Sequence, residues 1–257
     1  MSIDPRAVVS PRAQVAPDAE VGPFTVIGPD VTIGAGCRIG PHVVINGPTV
    51  LGADNSVFQF ASLGEAPQDM KYRGEPTRLV IGDRNVFREY VTVNRGTATG
   101  IGETRIGSDN LILAYSHVAH DCVLGSHIIF SNVVQLAGHV EVGDWAIFSG
   151  YSGAHQFCRV GAHAFIGNNT SVIRDIPPYV LATGHPAEPR SINIEGLKRR
   201  GFDEAQLRAI RNAYRLLYRS DLKLEVATRR IEELARRHEV LGVFAEFLRG
   251  STRGLAR

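Results

Sequence analysis

Six of the nine histidines in this chain, His117, His120, His127, His139, His155 and His163, crowd into one short stretch. A neutral imidazole near pH 7 can take a proton from an attacking alcohol, and it can also bind a metal such as zinc. The same stretch holds Asp121, directly after His120, and Cys122 and Cys158; the third cysteine, Cys37, stands far upstream. No Cys-x-x-Cys spacing occurs, which argues against a disulfide framework and a thiolate metal site. There is no Gly-rich phosphate loop ending in Lys-Ser/Thr, no Rossmann fingerprint and no nucleophile elbow for a serine hydrolase. Histidine chemistry is therefore what the residue types offer, and the elements that position the histidines decide which kind.

Those elements follow from a period of six. Ile3, Val9, Val15, Val21, Ile27, Ile33, Ile39, Ile45, Leu51, Val57 and Leu63 recur without a break. The series resumes at Ile81, Phe87 and Val93, and again from Ile106 through Val118, Leu136 and Ala154 to Val172. Neither a helical period of 3.6 nor simple strand alternation sustains a period of six. A three-sided coil of eighteen residues per turn does, with one aliphatic plug per face and parallel ladders between turns. Four residues beyond each plug lies a smaller inward column, as at Ala13, Ala19, Thr25, Val31, Ala146 and Ala164. Cys37, Cys122 and Cys158 fall in it and are expected to be buried packing residues. The period breaks over 64–80 and 94–105, which read as excursions from a rigid scaffold.

On this frame the histidines sort by column. His120 is two residues past its plug, His139 three and His155 one, so they are expected to diverge, which weighs against a zinc site. Eighteen residues beyond His120 stands Gly138, and eighteen further Gln156. Gly138 would expose an N–H to an oxyanion one rung from an imidazole base. Alternatively, His120 is a corner histidine bonded to the next coil. Asp121 meets the imidazole if the backbone turns there and points away if it is extended. Asp69 and Lys71, on the first excursion, can bind hydroxyls and phosphate; Arg199 and Arg200 suit a diphosphate.

The composition is unusual for 27 Gly and 13 Pro, with 44% hydrophobic residues. No apolar run is long enough to span a membrane and no leader pattern opens the chain, so it reads as cytoplasmic. The +2 net charge divides unevenly: residues 1–189 carry 12 basic and 17 acidic side chains, and residues 190–257 carry 16 and 9. The basic end can attract an acidic partner, nucleic acid or protein. After Pro177-Pro178 the pattern turns helical, with helices expected over 202–220, capped by Asp203, over 224–237 and over 240–248.

Several local runs are more specific than the period: Gln68-Asp69-Met70-Lys71-Tyr72, Asn94-Arg95-Gly96-Thr97, His117-Val118-Ala119-His120-Asp121-Cys122, Leu136-Ala137-Gly138-His139, His155-Gln156-Phe157-Cys158, Asn193-Ile194-Glu195-Gly196-Leu197-Lys198-Arg199-Arg200 and Ser251-Thr252-Arg253-Gly254-Leu255. Through them the chain resembles the UDP-N-acetylglucosamine O-acyltransferase family over essentially its whole length. The resemblance implies an all-β left-handed parallel β-helix of hexapeptide repeats over 1–190 and a small C-terminal α-helical domain over 191–257. It implies transfer of a (3R)-3-hydroxyacyl group from acyl carrier protein to the 3-hydroxyl of UDP-N-acetylglucosamine, the first step of lipid A biosynthesis. His120 is then the general base and the Gly138 N–H the oxyanion donor. Asp69, Lys71, His117, Asp121, His139, His155, Gln156, Asn193, Glu195, Arg199 and Arg200 bind substrate, and Asn168 stands at the acyl-length ruler. No metal or bound cofactor is implied, since phosphopantetheine arrives on the carrier. The partners implied are a homotrimer with sites between subunits and an acidic carrier protein on the basic C-terminal part, with no nucleic acid. A related N-acyltransferase acting on a UDP-amino sugar is the alternative; that sister family carries an additional N-terminal domain, whereas here the coil begins at Ile3.

Overall fold

A computed structural model describes residues 2–257. Short strands of two to five residues form three sheets of eleven, nine and eight strands, wound as a left-handed parallel β-helix in which only the last strand of the first sheet runs antiparallel. Glu20–Val21 belongs to the first sheet, Val26–Ile27 to the second and Val31–Ile33 to the third. Each rung repeats the one before: His117 lies opposite Gln135, and Gln135 opposite Gly153. The plugs fill the interior, with Leu63, Phe87, Val118, Phe130, Leu136 and Phe148 fully enclosed. Each contributes about 1.5–3 kcal/mol by leaving water.

The smaller inward column is buried as expected, including Ala19, Thr25, Val31, Ala146, Ala164 and all three cysteines. Burial pushes the Cys122 thiol up to about 12 and Cys158 to about 11, so neither is a ready nucleophile. Ile3, Val9, Ala13 and Val15 are only half-buried because no earlier rung covers them. Where Asn55, Asn85 and Asn110 enter this column, each side chain bonds to the next: Asn85 Nδ2 donates to Asn55 Oδ1 at 3.0 Å and Asn110 Nδ2 to Asn85 Oδ1 at 2.8 Å. Every rung of that polar ladder is satisfied inside the apolar coil.

At most corners the third residue past the plug has positive φ, for example Phe24, His42, Asp121 and His139. The residue before it is often proline, as at Pro23, Pro29 and Pro41, which suits a turn followed by a left-handed residue. Proline is tolerated there because that N–H has no ladder partner.

Both excursions leave the corner between the second and third sheets. The first departs after Ser62–Glu65 and returns at Arg78–Ile81; the second departs after Thr92–Asn94 and returns at Glu103–Ile106. They are shorter than the breaks read at 64–80 and 94–105, because their flanks still pair, Glu65 with Asn94 and Arg78 with Glu103.

An antiparallel hairpin, Val180–Thr183 with Glu188–Ile192, closes the first sheet and runs across the division expected at 190/191. It was not foreseen, nor was the short helix α1 (Ile194–Arg199). Helix α2 (Glu204–Tyr218) starts in a capping box between Asp203 and Gln206; α3 (Leu224–Ala235) packs against it, and α4 (Gly242–Gly250) packs against α3. The tail then returns to the coil, where Leu255 bridges Asp175.

Candidate active site

His120 stands in the turn that follows the strand His117–Val118, and Asp121 takes the left-handed position of that turn, with φ 60°. That turn settles where Asp121 points: its Oδ2 lies 2.8 Å from His120 Nδ1. Asp121 is only 3% exposed, its side chain wholly buried beneath the second excursion. Thr97 donates its amide to both oxygens at 3.1 Å and its hydroxyl to Oδ2 at 2.6 Å, and the Ile101 amide donates to Oδ1 at 3.0 Å. Burial works to raise the Asp121 pKa, but the hydrogen bonds from His120 and Thr97 outweigh it and hold it below the ordinary carboxylate range. Gly100 is required by this cradle, because a Cβ there would overlap the Asp121 carboxylate. An ionised, fully bonded Asp121 accepts the hydrogen bond of Nδ1–H, leaving Nε2 of His120 as acceptor.

One rung on, Gly138 sits against the other edge of the same ring. A Cβ at Gly138 would lie 2.6 Å from His120 Cε1 and 2.8 Å from Nε2, so no side chain fits. Gly138 occupies the turn position that proline fills on other corners, and its N–H donates to no protein acceptor among the described residues. His139, next in the turn, stacks on Phe157 at 4.4 Å and meets the His120 ring edge-on at 5.1 Å. Its pKa is lowered first by burial; Asp121 and Asp69 pull it up and His120 pushes it down. His117, on the adjoining strand, bonds through Nδ1 to the Thr92 hydroxyl at 2.7 Å, and burial, then the charge of His120, lowers its pKa.

The expectation that the histidines diverge by column is corrected here. His120, Asp121 and His139 present nitrogen and oxygen atoms within 4.8 Å of one another, a spacing a metal ion can bridge. The left-handed turn folds the third residue past one plug back beside the second residue past another, which a flat-face count misses. The cluster's one carboxylate is already committed to four donor groups, and those bonds compete with any ion.

Comparisons with known proteins agree with this architecture. Residues 12–47 match the family model for bacterial transferase hexapeptide (six repeats), and residues 175–256 match that for UDP N-acetylglucosamine O-acyltransferase, domain 2. The UDP-N-acetylglucosamine acyltransferase of Francisella novicida is 44% identical, with a TM-score of 0.98 over 99% of this chain and 94% of that one. The chain belongs to the UDP-N-acetylglucosamine acyltransferase family. LpxA of Acinetobacter baumannii is 42% identical over 99% of both chains with a TM-score of 0.97, and the UDP-N-acetylglucosamine O-acyltransferase of Moraxella catarrhalis 39% over 100% of both with 0.98.

Not every residue expected in the site of this family member gathers at the His120 corner. A groove of about 450 Å³ along the second sheet is bordered by His117, Ala137, Tyr151, His155 and His185, and Asn168 stands exposed beyond it at the opposite corner. Gln156 is exposed one rung past Gly138, and Lys71 is exposed on the loop whose turn Asp69 caps by accepting the Lys71 amide at 3.0 Å. Asn193, Glu195, Arg199 and Arg200 lie elsewhere, at the corner between the third and first sheets. Asn193 is buried, caps α1 by accepting from the Gly196 amide at 3.2 Å and donates to the His163 carbonyl at 3.0 Å, so its amide is spent on structure. Arg200 lies 3.2 Å from His163 Nδ1 and over the Trp145 ring. Glu195 and Arg199 are exposed on the helix between these anchors. Sequence reasoning missed Thr97, Ile101 and Thr104, whose hydroxyl accepts from the Asp121 amide at 2.9 Å. Ile101 and Thr104 had no signal but the break in period that contains them; Thr97 stood also in the run Asn94-Arg95-Gly96-Thr97.

Proposed function

We propose that this chain transfers a (3R)-3-hydroxyacyl group from acyl carrier protein to the 3-hydroxyl of UDP-N-acetylglucosamine, the first step of lipid A biosynthesis, with His120 as general base. The observation that carries this reading is the His120–Asp121 pair with the unpaired Gly138 N–H beside it. His120 Nε2 takes the proton of the sugar hydroxyl as its oxygen attacks the thioester carbonyl. The Gly138 N–H donates to the oxyanion, and Asp121 balances the imidazolium through Nδ1–H. As the tetrahedral intermediate collapses, the C–S bond breaks and His120 returns its proton to the departing phosphopantetheine thiolate. The thioester is already activated, so the reaction draws on no metal or bound cofactor.

The proposal includes a cytoplasmic homotrimer. Among the described residues no helix is long and apolar enough to cross a membrane. In a single chain the width of the third sheet separates His120 from Arg199, Arg200 and Glu195. One nucleotide sugar can meet both sets only where a neighbouring copy brings its α1 to this chain's His120 corner. The basic C-terminal unit then faces the acidic carrier protein. His117, His139, His155, Gln156, Asp69 and Lys71 orient the substrates, and Asn168 limits the acyl chain.

The test incubates labelled UDP-N-acetylglucosamine with a series of acyl carrier protein thioesters, with and without a chelator. A base-labile ester product formed equally in both supports the reading. An amide product formed only from a UDP-amino sugar, or turnover lost to chelation and restored by zinc, overturns it.

A further inference from the structure

His155 borders the groove on the second sheet, and its Nδ1 has two candidate partners that exclude each other. Arg253 of the C-terminal tail places Nη2 at 2.9 Å from Nδ1, and the carbonyl oxygen of Gln156 lies at 3.2 Å from the same atom. A guanidinium N–H only donates, so the first bond needs a bare Nδ1; a carbonyl only accepts, so the second needs Nδ1–H. The closer, charge-assisted partner prevails. Building on the function proposed above, we infer that Arg253 is a positioning residue that sets the tautomer of His155, placing the ring proton on Nε2 and making His155 a hydrogen-bond donor to a substrate oxygen.

Arg253 is itself exposed, and an exposed arginine ordinarily wanders. Here its backbone is pinned on both sides to Asp175, which is fully buried at the end of the coil. The Ser251 hydroxyl donates to Asp175 Oδ2 at 2.7 Å, the Asp175 amide donates to the Gly254 carbonyl at 3.0 Å, and the Ala256 amide to the Asp175 carbonyl at 3.0 Å. Asp175 Oδ1 in turn accepts from the Arg159 amide at 2.8 Å. Leu255, buried beside these bonds, anchors the tail by its side chain. The tail therefore holds the guanidinium within reach of one ring nitrogen. Without it, Nδ1–H can bond the Gln156 carbonyl, and Nε2 turns from donor to acceptor.

The test reads the ring nitrogens directly, by long-range ¹H–¹⁵N correlation on the ligand-free full chain with ¹⁵N-labelled histidine. The wild type should show His155 with Nε2 protonated, Arg253→Ala should shift it toward Nδ1–H, and Arg253→Lys, which still donates, should keep the wild-type pattern. Arg253→Ala should lower kcat/KM for acyl transfer about tenfold. In a His155→Ala background the same change should cost less than about twofold. Equal melting temperatures establish that the variants fold. Nδ1–H in the wild type, an unchanged tautomer in Arg253→Ala, or an equal loss in both backgrounds overturns the inference. The spectrum needs no substrate: the expected tautomer in a chain that transfers no acyl group would sink the proposed reaction and leave this assignment standing.

Discussion

Two edges of the coil use the same backbone turn for different ends. Along the edge between the first and second sheets, the left-handed positions Phe24, His42, Phe60, Tyr90 and Tyr115 carry exposed rings stacked at 5.1, 5.3, 5.1 and 4.7 Å. Such positions cost about 1–3 kcal/mol each for residues other than glycine, and stacking returns part of it. Along the edge between the second and third sheets, Asp121 and His139 stand at the equivalent turn position, and both excursions leave from that edge. The lesson is that the turn supplies direction, while the covering loop supplies chemistry. Hydrogen bonds from His120 and from Thr97 of the covering loop keep a buried carboxylate below the ordinary carboxylate range.

The comparison breaks most sharply at His120. His120→Ala should lower single-turnover acyl transfer about 10²–10⁴-fold with the fold intact. His117→Ala and His139→Ala should retain measurable turnover; if either lost more than His120→Ala in the same assay, the base is misassigned. Close behind comes a pair of glycines at the same turn position on the two edges. Gly138→Ala should push the imidazole out of place and lower turnover about 10²–10³-fold. At Gly150, on the ring-stacked edge, the nearest atom to an added Cβ is at 3.3 Å, so Gly150→Ala should keep turnover within about twofold.

The covering loop is tested by Gly100→Ala. The new methyl must displace the loop from Asp121, and turnover should fall about a hundredfold, with a melting temperature several degrees lower. Unchanged kinetics would mean that the cradle is dispensable.

A third edge, where His163 lies between Trp145 and Tyr179, offers a smaller effect. Burial, then the charge of Arg200, pushes the His163 pKa down to about 4 from an ordinary 6.5. The unfolded chain therefore binds this proton first as pH falls. The stabilisation is full above the unfolded value and is lost progressively between about pH 6.5 and 4. Denaturant midpoints from about pH 7 down to 4.5 should decline less steeply in His163→Gln than in wild type, by about one proton's linkage. Smallest of all, Tyr90→Ala on the ring ladder should cost about 1 kcal/mol of stability, measured by urea unfolding, with turnover unchanged.

The sequence by itself determined the coil. A plug every sixth residue is a local rule, repeated so often that burial of Leu63, Val118 and Phe148 and of the three cysteines was readable before any coordinates. It also made Gly138 the neighbour of His120, because eighteen residues is one rung. The helix pattern with its Asp203 cap was equally legible, since capping is local. The short helix α1 and the 180–192 hairpin were not, because too few residues carry a period there. What only the tertiary structure decided lies where the period stops. The turn that folds Asp121 and His139 back onto His120 joins columns that a count of residues past the plug keeps apart. The Thr97 cradle joins adjacent rungs whose spacing an excursion takes off the eighteen-residue period, and Arg253 reaches His155 from the far end of the chain. None of these pairs is fixed by spacing: a loop's path depends on the hydrogen bonds available where it lands, and those exist only once the rungs beneath it are in register.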